Sequence, residues 1–183
     1  AAVWKGIKKL REEGYEIEAV TNRGYRLTNP ETMYNKRELE QGLKTKTMGQ
    51  SIYFYEETDT TNNRARELAL EGAPEGTLVV AEKQTAGRGR RGKVWESPLG
   101  TGIWMSLVLR PQIMPAEASV LTLLCGLATA EAIEAETGLS AGIKWPNDIL
   151  INGKKAVGIL TEMDCEMSEV HFVIPGIGIN VNT

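Results

Sequence analysis

Gln84 to Trp95 spell QTAGRGRRGKVW. Gly87, Gly89 and Gly92 satisfy G-x-G-x-x-G, the spacing of a dinucleotide-binding turn, and the segment TLVVAEKQ before them reads as a strand. Such a turn must open a helix at once and be followed by an acidic residue about 20 positions on. Here KVWESPLGTG follows, with Pro98 and two further glycines, and no acid stands between Glu96 and Glu117. The Rossmann reading fails both requirements. A P-loop fails as well, because no Gly-Lys-Ser/Thr closes the motif.

The neighbouring segments supply the architecture. IYFYEET (52–58) alternates and predicts a strand. Asp59 or Thr60 can cap a helix running to about Glu71, with Ala65, Leu68 and Ala69 on its apolar side. IWMSLVLR (103–110) predicts another strand, and Pro115 to Gly138 one long helix. That helix is apolar on more than one face, which predicts a buried central position. GIKW (142–145), DILI (148–151), KAVGILTEMD (155–164) and EVHFVIPGIGINV (169–181) predict strands. Helices and strands do not alternate strictly, so the expected class is α+β, a mixed sheet with packed helices.

Upstream, Val3, Trp4, Ile7 and Leu10 recur at helical spacing, with Gly14 as the expected stop. YEIEAV, a turn over 21–24 and YRL then read as a hairpin bent at Gly24. A helix followed by a β-ribbon has the shape of the recognition helix and wing of a winged helix-turn-helix. Asn29-Pro30 marks a linker, and Asn35 with Glu38 a capping box.

The 183 residues are 42% hydrophobic and 25% charged, which excludes a disordered chain and a coiled coil. The most apolar stretch, Ala118 to Ile133, reads as too short and too polar to span a bilayer, and no signal peptide opens the chain. Two cysteines, Cys125 and Cys165, make no disulfide framework, which suits a cytoplasmic setting. With one histidine, His171, which alternates with Phe172 in a strand, a His-rich metal site is excluded and a His-based triad nearly so. The chain carries −3 overall while GRGRRGK (87–93) alone carries +4, so the remainder stands at −7. An acidic body with one basic, glycine-rich loop points to an anion site. The glycines let the backbone approach a ligand, and Arg88, Arg90 and Arg91 offer planar forks for phosphate or carboxylate. The expectation is a loop that orders on its ligand. KWPND (144–148) places Lys144 at a strand end before a turn, where it could face an anion or simply solvent. If that cluster is only a hairpin turn, Trp145 belongs to the core. Thr60, Thr61 and Asn62 gather two hydroxyls and an amide at a helix start, more than one cap requires.

Taken in order, TTN (60–62), QTAGRGRRGKVW (84–95), KWPND (144–148), GILTE (158–162) and GIGINVN (176–182) closely resemble the biotin protein ligases. The resemblance runs from about residue 35 to the end. Residues 1–27 in turn resemble the recognition helix and wing of the bifunctional members, which also repress biotin synthesis. The implied fold is the class II aminoacyl-tRNA synthetase-like catalytic domain, preceded by part of a winged helix-turn-helix. The implied domains are 1–29 for the DNA-binding remnant, 30–35 for a linker and 36–183 for the biotin/ATP-binding domain, with the family's C-terminal β domain absent.

The implied activity joins biotin and ATP into biotinyl-5′-adenylate, then passes biotin to a lysine of a biotin carboxyl carrier protein. The resemblance makes Lys144 and Arg88 catalytic. It gives biotin to Thr60, Thr61, Asn62, Gln84, Gly87, Arg88, Gly89, Arg90 and Lys144. It gives the nucleotide to Arg90, Arg91, Trp95, Asn147, Asp148 and Asn180. Asp148 and Asn180 are also its candidates for a metal, the expected ion being Mg²⁺. Thr60 stands where many members have serine, and the hydroxyl is kept. Implied partners are the carrier protein, an operator DNA for the intact repressor and a second copy in a homodimer, with no membrane. Two alternatives remain: a lipoate protein ligase, and a ligand-sensing repressor without turnover.

Overall fold

The structure, a computed structural model, describes residues 2–12, 15, 17–21, 23–28 and 36–182. Gly14, Asn22 and the expected linker with Asn29, Pro30 and Asn35 lie outside the described residues. Two compact units are present, Ala1–Lys44 and Thr45–Thr183.

The first unit holds helix α1 (Ala2–Glu12), strands β1 (Ile17–Val20) and β2 (Gly24–Leu27), and helix α2 (Lys36–Gly42). β1 and β2 form an antiparallel hairpin. This is the expected helix and wing. Polar contacts hold the unit together. Arg11 Nε donates to the Ile17 carbonyl at 2.9 Å, and Tyr15 donates from its hydroxyl to Glu38 at 2.9 Å. No residue of these four elements is buried. α2, which the sequence reading placed with the following domain, clusters with this unit.

The second unit runs β3 (Ile52–Thr58), α3 (Thr61–Leu70), β4 (Leu78–Gln84), β5 (Gly102–Leu107), α4 (Ala118–Thr137), β6 (Ala141–Lys144), β7 (Asp148–Ile151), β8 (Lys154–Cys165) and β9 (Val170–Asn180). The strands form one sheet in the order β3-β4-β5-β9-β8-β7-β6. Only β3 and β4 pair in parallel, because α3 crosses between them, and every other pair is antiparallel. The sheet is therefore mixed, as expected.

Alternation along the strands sends residues to two faces. On one face α3 packs Ala65 and Ala69 against Val79, Val108, Phe172 and Ile174. On the other, Ala130 of α4 packs against Ile149, Val157, Ile159 and Ile177. Thr60 caps α3 by accepting from the Asn63 N–H at 3.0 Å.

Two expectations about α4 are corrected. Only Ala118, Gly126, Thr129 and Ala130 of this helix are buried, while Val120, Leu124 and Leu127 are about half exposed. Small residues face the sheet and the larger leucines face away, so α4 is an outer layer and not a buried central helix. Pro115–Thr137 is also long and apolar enough, by length and composition, to cross a membrane. The shorter window chosen from sequence understated this. In the fold the helix lies against the sheet.

Candidate active site

Residues of α3, β4, β8 and β9 and the arginine loop converge on one cleft. Its floor is made by Gly158 of β8 with Gly176 and Gly178 of β9. No side chain fits there. A Cβ on Gly158 would come within 2.6 Å of the Trp95 ring, one on Gly178 within 2.5 Å of Trp95 Nε1, and one on Gly176 would collide with Asn62. The indole of Trp95 thus lies against bare backbone. It meets Trp104 edge-on, with ring centroids 6.4 Å apart.

Part of the cleft is a polar network at the start of α3. Gln84 Oε1 accepts from the Thr61 N–H at 2.8 Å, and Gln84 Nε2 donates to Ser97 at 2.9 Å. Ser106 Oγ lies 2.7 Å from Thr61 Oγ1 and 2.6 Å from Asn62 Oδ1. Thr60, Thr61, Asn62 and Gln84, which the resemblance gives to biotin, all line the cleft.

Cations line the cleft as well. Arg88, Gly89 and Arg90 line it, and Arg90 Nη1 donates to Asn147 Oδ1 at 3.0 Å. The loop folds as a small hairpin, with Gly89 N–H donating to the Lys93 carbonyl at 2.7 Å and Trp95 N–H to the Gly87 carbonyl at 2.9 Å. Those amides are occupied, so the arginine side chains, more than a backbone nest, are what the loop offers an anion. Gly87 is buried and does not line the cleft, and a Cβ there would collide with the Trp95 carbonyl. Arg91 faces an adjoining, wider cavity that shares Arg90 and Asn147 with the first.

The lysine at this site is Lys155, which sequence reasoning missed. Its Nζ pairs with Asp148 Oδ1 at 2.7 Å and stands 5.1 Å from the centroid of the Trp95 ring. Strict alternation would send Lys155 to the α4 face with Val157. A bulge intervenes: Leu150 pairs with Lys155, yet Ile149 pairs with Val157. The extra residue re-aims Lys155 into the cleft. The turn before it, Asn152 (φ 51) and Gly153 (φ 78), has the left-handed pair that an Asn-Gly hairpin needs. Lys144, the expected catalytic lysine, is exposed on edge strand β6 and does not line the cleft. Trp145 is 76% exposed and is not core.

Asp148 and Asn180 do not form a metal site. Asp148 is paired with Lys155, and Asn180 donates its amide N–H to the Lys155 carbonyl at 3.2 Å. Among the described residues no group of three His, Cys, Asp or Glu side chains could hold an ion. The chain's own residues therefore do not fit a protein-held Mg²⁺. Burial pushes the Cys125 thiol up, which suits an inert packing residue.

A glycine-floored cleft lined by amides, hydroxyls and cations, on a mixed sheet, has the chemistry to take a small ligand with polar and anionic groups. Residues 52–180 match the biotin/lipoate A/B protein ligase family, and residues 1–26 match an HTH domain. The chain belongs to the biotin/lipoate A/B protein ligase family. It is 56% identical over 181 residues to the bifunctional ligase/repressor BirA of Bacillus spizizenii, covering 99% of this chain and 56% of that protein. Against the Escherichia coli BirA the identity is 33%, covering 99% and 55%. Among solved structures, it is similar to the biotin protein ligase of Aquifex aeolicus in complex with biotin and ATP. That match has a TM-score of 0.60 and 36% identity, over 73% of this chain and 53% of the other. The Leishmania major ligase with biotinyl-5-AMP gives a TM-score of 0.63 and 32% identity, over 73% and 58%. The chain spans a little over half the length of these relatives.

Proposed function

We propose that the protein is an ATP-dependent biotin–[biotin carboxyl carrier protein] ligase working in the cytoplasm. Thr61, Asn62 and Gln84 take the ureido head of biotin, and the glycine floor takes its rings beside Trp95. Arg88 and Lys155 meet the carboxylate. The nucleotide lies on the side of Arg90, Asn147 and Asp148. One biotin carboxylate oxygen attacks the α-phosphorus of ATP, and the bond to pyrophosphate breaks. The two reactants are anions, so cations fixed at their meeting point lower their repulsion and stabilise the charge that builds on the leaving oxygen. The acceptor lysine nitrogen then attacks the carbonyl carbon, its proton goes to solvent and AMP leaves. The observation that supports this reading is that one glycine-floored cleft is lined both by the Thr61, Asn62 and Gln84 polar network and by the cations Arg88, Arg90 and Lys155.

Residues 1–29 supply the helix and wing of a DNA-binding domain, and the unit from Thr45 supplies the catalytic domain. The intact protein then joins ligation to biotin-responsive repression, with the carrier protein and an operator as partners. Biotin-dependent exchange of pyrophosphate into ATP tests the enzyme. Exchange with biotin and none with lipoate is expected. Exchange driven by lipoate instead would make the protein a lipoate ligase, and operator binding without exchange would make it a sensor.

A further inference from the structure

Arg88 is anchored through one nitrogen. Its Nη2 donates to Asn63 Oδ1 at 2.8 Å and reaches the two carboxylate oxygens of Glu162 at 3.3 and 3.4 Å. The guanidinium makes no other hydrogen bond among the described residues, so the Nε and Nη1 edge is left for the cleft that Arg88 lines.

Both anchors are fixed in turn. Glu162 Oε2 accepts from Asn62 Nδ2 at 2.7 Å, and Asn62 is held from its other end by Ser106. Asn63 Nδ2 donates to Asp59 Oδ2. An ionised carboxylate only accepts, so Asn63 must turn its NH₂ toward Asp59 and its oxygen toward Arg88. Burial works to raise the Asp59 carboxyl, but hydrogen bonds from Asn63, the Thr60 backbone and Thr58, with the Arg64 charge, hold it down at about 2. It is therefore ionised across the neutral range, and the amide has one favourable direction.

We infer that Asn63 and Glu162 are positioning residues that hold Arg88 by its Nη2 so that its remaining edge meets the substrate's carboxylate, and that Asp59 sets the direction of the Asn63 amide. Ordering the long arginine side chain before the ligand arrives removes that ordering from the cost of binding. The inference rests on the reading of the cleft given above.

Biotin and its methyl ester, which lacks the charge, separate positioning from mere structural support. Both are titrated by calorimetry into the wild-type chain, Asn63→Ala and Glu162→Gln. Each variant is expected to lose about tenfold in affinity for biotin, the size of one charged hydrogen bond, and almost none for the ester. Equal losses for the two ligands would mean general damage to the cleft and overturn the inference. Unchanged biotin affinity in both variants would overturn it as well. A wild-type chain that binds neither ligand would bring down the reading of the cleft itself, a result distinct from either of the others.

Discussion

β8 and β9 show two chemistries on their two faces. Toward α4 they present Val157, Ile159 and Ile177, buried and packed. Toward the cleft the same strands present Gly158, Gly176 and Gly178, so that its floor is bare backbone. Neighbouring residues in the chain thus do opposite work. One face supplies burial free energy, and the other gives up that packing to leave room for the Trp95 ring and the Asn62 amide. The alternation of glycine with branched residues in GILTE and GIGINVN is the written form of this division.

The largest effect should come from crossing that division at its bulge. If Lys155 is the cation at the reacting centre, Lys155→Ala should lower biotin-dependent pyrophosphate exchange by about 10²–10³-fold, the usual loss for one preorganised charged contact. Lys144→Ala, at an exposed edge, should change exchange by no more than about twofold. A reversed pair of results would return the catalytic role to Lys144. Next in size is the packed face. Val157→Ala removes two methyl groups at a fully buried position, and urea unfolding should show a loss of about 2 kcal/mol. A loss below the error of that measurement would mean that the face under α4 is not the stabilising one.

The smallest effect belongs to Asp59. Its folded-state value of about 2 lies below the ordinary carboxylate value of 3.8. The carboxylate's contribution to stability is therefore complete above the ordinary value and is lost as pH falls toward 2. In acid-unfolding curves, Asp59→Ala and wild type should differ most near pH 5 and converge below this range. A constant difference down to the lowest pH would remove the Asp59 carboxylate from the polar network.

Much of this was legible in the sequence. The strands, the α3 cap and the turn at Asn152-Gly153 follow from local pattern, because period and turn chemistry are local properties. The hydroxyl and amide cluster at 60–62 was legible because it exceeded what one cap needs. Lys155 was not. A period-two reading sends it to the wrong face, and only the bulge opposite Ile149 and Leu150 brings it into the cleft. Lys144 drew attention because it sits in a conspicuous motif, and the fold leaves it outside. Glu162 and Ser106 were hidden for another reason: their partners lie about 44 to 100 positions away in the chain. The exposure of the α4 leucines was missed because composition shows how apolar a helix is but not which side meets the sheet.

The most direct test uses two adjacent residues on the opposite faces of β8. Biotin is titrated by calorimetry into folded Gly158→Ala and folded Val157→Ala. A Cβ at position 158 would stand 2.6 Å from the Trp95 ring, so Gly158→Ala should weaken biotin about tenfold or more, as overpacking does. Val157→Ala should keep the wild-type affinity despite its lower stability. Equal affinities in the two variants, or a loss confined to Val157→Ala, would contradict the assignment of the glycine face to the ligand.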